Sequence, residues 1–270
     1  MIVYDLLCVN MTIPTSPISN IERQQILLAL LTSQQRITVP EICERFSVSE
    51  ATARRDLELL AEQGLIQRVH GGAIAVRRAT PESSILARKQ EQAEDKSRIG
   101  RAAAALIGDG ETIIMGSGTT VLEVARNLLE RRNLTVITNS LPVLNQLAGQ
   151  HGISVVALGG ILRDSELSFI GHITEMALGE VNADRVIIGI RAISLENGLT
   201  NDYLPETMTD RAILRAGREV IIVADHTKCG LVSTAFVAPL TSVHKLVTDG
   251  HTPSQFISAL KEQGVDVIVV

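Results

Sequence analysis

Apolar residues recur at helical spacing through the first quarter of the chain and then change rhythm. Over 21–31 (IERQQILLALL), Ile26, Leu27, Leu30 and Leu31 fall on one face of a helix. Over 37–72 the pattern predicts two short helices, a tight turn between them and a strand pair. Thr38 is placed to cap the first helix, with Glu41 three residues on to complete a capping box. Ile42 and Phe46 stand four apart and share its buried face. Ser47 and Val48 make the turn, Ser49 caps the second helix, and Ala53, Leu57 and Leu60 point inward from it. Gly64 ends that helix, and 65–72 (LIQRVHGG) reads as a two-stranded wing. This is a helix-turn-helix with a wing behind it.

Beyond residue 95 strands and helices alternate to the end of the chain. Strands are expected at 111–115, 134–138, 153–158, 185–190, 219–224, 245–248 and 266–270. Helices fill the spaces at 96–107, 121–129, 142–148, 173–178, 206–216 and 253–263. Strands that read as unbroken Ile/Val runs are buried on both faces, and helices between them supply the cover. The fold class is therefore α/β, a doubly wound parallel sheet, in which ligands bind outside the carboxyl ends of the strands. Four expected domain limits follow: a disordered leader over 1–19 (or translation from Met11), a DNA-binding module over 20–76, a polar linker over 77–94 and an α/β body over 95–270.

The outer face of the second helix carries Ser49, Ala51, Thr52, Arg54 and Arg55, and the wing adds Arg68 and His70. Hydroxyls and guanidinium forks on one exposed face are suited to gripping phosphates and reading base edges in a major groove. The overall charge of −5 argues against this until it is divided. Residues 20–78 hold 8 basic and 7 acidic side chains, a net of +1, and the remainder carries −6. So modest a positive charge predicts salt-sensitive binding that needs more than one copy of the module. Asp56 is expected to pair with a neighbouring arginine or to stabilise the helix rather than to touch DNA.

The body's loops hold the rest of the chemistry. Gly116-Ser117-Gly118-Thr119-Thr120 follows a strand and opens a helix, which suits a phosphate or, equally, a plain helix cap. Asn139 and Ser140 end the next strand, Gly159 and Gly160 the one after, with Arg163 close behind. Asp225 and Lys228 form a charged pair at a fourth strand end. The lysine there either neutralises a phosphate or pairs with the aspartate. His226 and His70 look isolated, no His/Asp/Glu group has metal-binding spacing, and no serine sits in a nucleophile elbow. No cofactor or metal is expected. Cys8, Cys43 and Cys229 form neither a disulfide framework nor a zinc spacing, and no apolar run is long enough to span a membrane, so the cytoplasm is the expected compartment.

The segment around SVSEATARRDLELLAEQGLIQRVHGGA closely resembles the DeoR/GlpR family of bacterial transcriptional regulators. The likeness continues in order through GSGTT, VITNS, LGGILR, Gly171 and ADHTKCG. It implies a winged helix-turn-helix joined to a sugar-phosphate-sensing domain related to ribose-phosphate isomerases and CoA transferases. It further implies a dimer or tetramer that represses a carbohydrate-catabolism operon on double-stranded DNA until a phosphorylated sugar releases it. Ser117, Gly118, Thr119, Thr120, Asn139, Ser140, Gly159, Gly160, Asp225 and Lys228 match the family's effector loops. Two departures stand out. Gly116 replaces the usual Asp, and Arg191-Ala192-Ile193 replaces a Gly-Asp type turn. The leading expectation is a ligand-controlled repressor and not an enzyme. The alternatives are a sugar-phosphate isomerase or transferase with an appended DNA module, and a helix-turn-helix used for protein contact.

Overall fold

The computed structural model describes residues 19–34, 36–62, 65–75, 79 and 83–270, in two compact units that divide between Arg77 and Arg78. All of the expected leader except Ser19, and the helix stop at Gly64, lie outside the described residues.

The first unit runs α1 (Asn20–Gln34), β1 (Arg36–Thr38), α2 (Val39–Phe46), α3 (Glu50–Glu62), β2 (Ile66–Val69) and β3 (Gly72–Ala75). The capping box on α2 is present, Thr38 Oγ1 accepting from the Glu41 amide while the Glu41 carboxylate takes the Thr38 amide at 2.6 Å. Ser47 adopts a left-handed conformation at φ 51°, which turns the chain between α2 and α3. Leu27, Leu31, Ile42, Ala53, Leu57, Leu60 and Ile66 are buried together. Ile26 and Leu30, expected inside, are only partly covered.

The wing has a third strand that the pattern did not announce. β1 pairs antiparallel with β3, giving the order β1-β3-β2. Gly72 faces Thr38 in that pairing, and a Cβ there would stand 2.2 Å from the Ile37 carbonyl oxygen, so the approach requires glycine. Across the unit, Arg23 on α1 grips Asp56 on α3 through Nε at 2.6 Å and Nη2 at 3.1 Å, with both side chains buried. The partner expected for Asp56 thus comes from the first helix, not from the neighbouring arginines.

The second unit runs α4 (Ile85–Arg88), α5 (Ala93–Ala105), β4 (Thr112–Met115), α6 (Thr119–Arg126), β5 (Leu134–Thr138), α7 (Leu141–Leu147), β6 (Ile153–Ala157), β7 (Ile161–Arg163), β8 (Ser168–Ile170), α8 (His172–Gly179), β9 (Ala183–Ile188), β10 (Ala192–Ser194), β11 (Gly198–Asn201), α9 (Leu204–Arg215), β12 (Gly217–Val223), β13 (Ala235–Ala238), β14 (Lys245–Thr248), α10 (Ser254–Glu262) and β15 (Asp266–Val269). Seven of these strands make one parallel sheet in the order β15-β14-β12-β9-β4-β5-β6. Its two faces bury alternate residues of the same strands, Ile114, Val186 and Ile222 on one side and Ile113, Met115, Ile187 and Ile221 on the other. The expected doubly wound sheet is therefore present.

Two smaller sheets are additions: the antiparallel pair β7-β8 and the antiparallel set β10-β11-β13. The expected linker over 77–94 needs correcting. Ser84 caps α4, the Ile85 amide donates to the Ser165 carbonyl at 2.8 Å, and Ile85 and Arg88 are buried. Those residues belong to the body, because their side chains are needed inside it.

Candidate functional site

Strand order reverses direction between β4 and β9. From β4 the chain winds outward through β5 and β6, and from β9 outward through β12, β14 and β15. The loops leaving two such neighbours part to opposite faces of a sheet and leave a cleft at their carboxyl ends. A cleft lies there, lined by Ser117, Gly118, Thr119 and Thr120 after β4 and by Gly189, Ile190 and Arg191 after β9. Arg88, Lys96, Glu166, Asn201, Glu206, Asp210 and Lys228 complete it.

Four cations therefore line the same cleft as the start of α6, which adds its first amides and partial positive charge. Three of the four are nearly removed from water: Arg88, Lys96 and Arg191 are at most 9% exposed. Lys96 Nζ donates to the Arg88 carbonyl at 2.9 Å, and Arg88 Nη2 binds both oxygens of Glu166. Burial pushes the Lys96 ammonium below the usual lysine range, and the Asp225 carboxylate holds it partly back. On the opposite side of the charge balance, burial and the neighbouring Glu206 push Asp210 well above the usual carboxylate range. Asn201 Nδ2 donates to that same carboxyl while its Oδ1 accepts from the Arg191 amide at 3.1 Å. The cleft thus holds cations, acids and amides together, Arg88 paired with Glu166 and the Arg191 main chain joined to Asn201.

Of the residues expected to hold a ligand, Ser117, Gly118, Thr119, Thr120 and Lys228 line the cleft. The others occupy supporting positions. Asn139 Nδ2 holds the Phe169 carbonyl at 2.9 Å, and Ser140 caps α7 through the Val143 amide. Gly159 and Gly160 form the turn before β7, where Thr174 Oγ1 donates to the Gly159 carbonyl at 2.7 Å. Arg163 is drawn to Glu206 and lies 4.4 Å over the Tyr203 ring, so it steadies a lining residue. Asp225 caps the short turn carrying Lys228, accepting from the Thr227 amide at 3.0 Å. Arg88, Lys96, Asn201, Glu206 and Asp210 were not singled out beforehand. Gly116 leads into the cleft, and a Cβ placed on it would meet Ile188 Cγ1 at 2.9 Å.

In the first unit, Ser49 and Thr52 at the start of α3 bind each other, the Thr52 amide reaching Ser49 Oγ at 3.2 Å. Ala51, Arg54, Arg55, Arg68 and His70 are exposed. Arg54 meets Glu50 at 3.1 Å with both side chains more than 60% exposed, a pair too solvated to restrain it. Arg68 Nη1 donates to the Arg54 carbonyl at 3.2 Å and so ties the wing to α3.

Residues 23–79 match the DeoR-like helix-turn-helix domain, and residues 91–250 match the DeoR C terminal sensor domain. The chain belongs to the DeoR family. The HTH-type transcriptional repressor GlcR of Bacillus subtilis is 36% identical over 92% of this chain and 95% of its own length. The glycerol-3-phosphate regulon repressor of Escherichia coli is 34% identical over 91% and 97%. Ribose 5-phosphate isomerase A of Methanocaldococcus jannaschii superposes with a TM-score of 0.39 and 18% identity over 52% of this chain and 55% of that one, a likeness too remote to carry function. This DeoR-family chain is thus a DNA-binding transcriptional repressor and not an enzyme, and the isomerase-like alternative is set aside. Among the described residues no helix is long and apolar enough to cross a membrane.

Proposed function

We propose that the repressor is released from its operator by a phosphorylated sugar, or a closely related phosphorylated metabolite, bound in the cleft between β4 and β9. The phosphate sits at the start of α6 against Ser117–Thr120, Lys96 and Lys228, where amides, hydroxyls and cations converge. The hydroxyls of the same molecule face Asn201, Glu206 and Asp210, acceptors and donors suited to a polyol and badly suited to a second phosphate. The meeting of four cations, the start of α6 and a set of acids and amides in one cleft is the observation that carries the proposal. It agrees with the glycerol phosphate in the name of one relative.

Arg54, Arg55 and the start of α3 read the operator, with Ser49, Ala51, Thr52, Arg68 and His70 beside them. A module with a net charge of +1 needs paired half-sites to bind tightly, so the working form is a homo-oligomer in the cytoplasm. Release requires that the metabolite favour the arrangement that does not hold DNA, since equal affinity for both shifts nothing.

Operator gel shifts against phosphorylated sugars and their unphosphorylated counterparts test the proposal. One phosphorylated compound is expected to release DNA and, at a hundred times its dissociation constant, to stabilise the protein by about 2.7 kcal/mol. Equal release by the unphosphorylated sugar defeats it.

A further inference from the structure

Beside the cleft, and separate from its lining, four metal-ligating side chains from three segments come together: Asp95 on α5, His226 after β12, and Asp249 and His251 after β14. One ligand atom from each lies within 4.8 Å of all the others. His226 Nδ1 is 3.0 Å from Asp249 Oδ1. His251 Nδ1 is 3.2 Å from that oxygen and 3.9 Å from Asp95 Oδ2. A tetrahedral zinc ion with bonds of ~2.0–2.1 Å sets its ligand atoms about 3.3 Å apart, a spacing that the 3.0, 3.2 and 3.9 Å separations bracket.

The anchoring is also that of a metal site. Asp249 is fully buried, and the main-chain amides of His226 and His251 donate to its two oxygens at 2.7 and 2.8 Å. Such outer hydrogen bonds aim a carboxylate before any ion arrives. Asp95 is buried and held by Arg98. His251, by contrast, is 66% exposed and leaves an open side for entry. His226, which looked isolated along the chain, has its partners supplied by the sheet.

We propose that Asp95, His226, Asp249 and His251 bind a divalent transition-metal ion of the zinc type. Two imidazoles with two carboxylates favour zinc over magnesium or calcium, which take all-oxygen sites. The ion fastens the start of α5 to the turns after β12 and β14, and so steadies the segments that carry Lys96 and Lys228. The metal assignment stands on its own residues and does not depend on what the cleft binds.

The test uses the full chain without an affinity tag, stripped with a chelator and then given zinc or magnesium. Zinc is expected to remain at one ion per chain after gel filtration, and to raise the melting temperature by about 5 °C or more at saturation, while magnesium does neither. His251→Ala, at an exposed position that spares the fold, should weaken zinc retention roughly tenfold or more with an unchanged circular dichroism spectrum. No retained zinc and no thermal shift overturns the proposal: the cluster is then a hydrogen-bonded network only. So does zinc retention in the His226→Ala/His251→Ala double variant that equals that of the wild type.

Discussion

The two units handle charge in opposite ways. In the DNA module the arginines offered to the ligand are solvated, and the buried pair Arg23–Asp56 is kept for holding α1 to α3. In the sensor body three of the four cations lining the cleft, Arg88, Lys96 and Arg191, are themselves buried, and acids such as Glu166 stand beside them. The difference follows from the size of the two partners. A duplex brings a dense row of phosphates and its own counterions, so exposed charges suffice and binding varies with salt. A small metabolite carries one anionic group, and its recognition gains from cations already stripped of water.

Three substitutions test that contrast. The largest effect is expected from Asp56→Ala, which leaves Arg23 charged, buried and unpartnered by a carboxylate. A loss of about 3–5 kcal/mol is expected, seen as an earlier first transition when the full chain is unfolded in urea. A loss well under 1 kcal/mol would mean that the pair is not what joins the helices. Next comes Lys96→Met, which should weaken the response to the releasing metabolite by roughly ten- to a hundredfold, the size of a lost charged hydrogen bond. Lys96 has a depressed pKa, so its charge is complete at low pH and is lost as pH rises through that depressed value. Wild-type metabolite affinity should therefore fall on the alkaline side sooner than an exposed lysine would allow, and the variant should lose this phase in a fluorescence titration. A wild-type profile flat through that range removes Lys96 from the surroundings of the phosphate. The smallest effect is expected for Arg55→Ala, about 1–3 kcal/mol of operator affinity if it reads a base, or a salt slope lower by about one if it holds a phosphate. Gel shifts over a range of salt separate the two, and no change in either measure takes Arg55 off the DNA.

Local chemistry was readable in advance wherever neighbours in sequence are neighbours in space. The Thr38/Glu41 box, the inward row Ala53-Leu57-Leu60 and the strand 134–138 all depend on residues a few positions apart. What escaped was either too short or too distant. A three-residue strand such as β1 or β7 has no period to detect, and it exists because another strand lies alongside it. The cleft was half readable for the same reason. Ser117–Thr120 advertise themselves as a loop opening a helix, and Arg191 stands out only as a departure from the family's turn, whereas Arg88 sits in a polar stretch that resembles a connector. Only the strand crossover at β4 and β9 puts residues 88, 96, 191 and 228 in one place. The cluster of Asp95, His226, Asp249 and His251 is scattered along the chain in the same manner.

The nearness of the Ile188 side chain to the place where a Cβ on residue 116 would stand has a bearing on how specificity can change in this protein. The entrance to the cleft has room for one bulky neighbour, and β9 already supplies it. A side chain at 116 therefore requires the Ile188 side chain to turn aside or to be replaced by a smaller one. Libraries that vary 116 and 188 jointly therefore reach side chains at 116 that a change at 116 alone brings against Ile188.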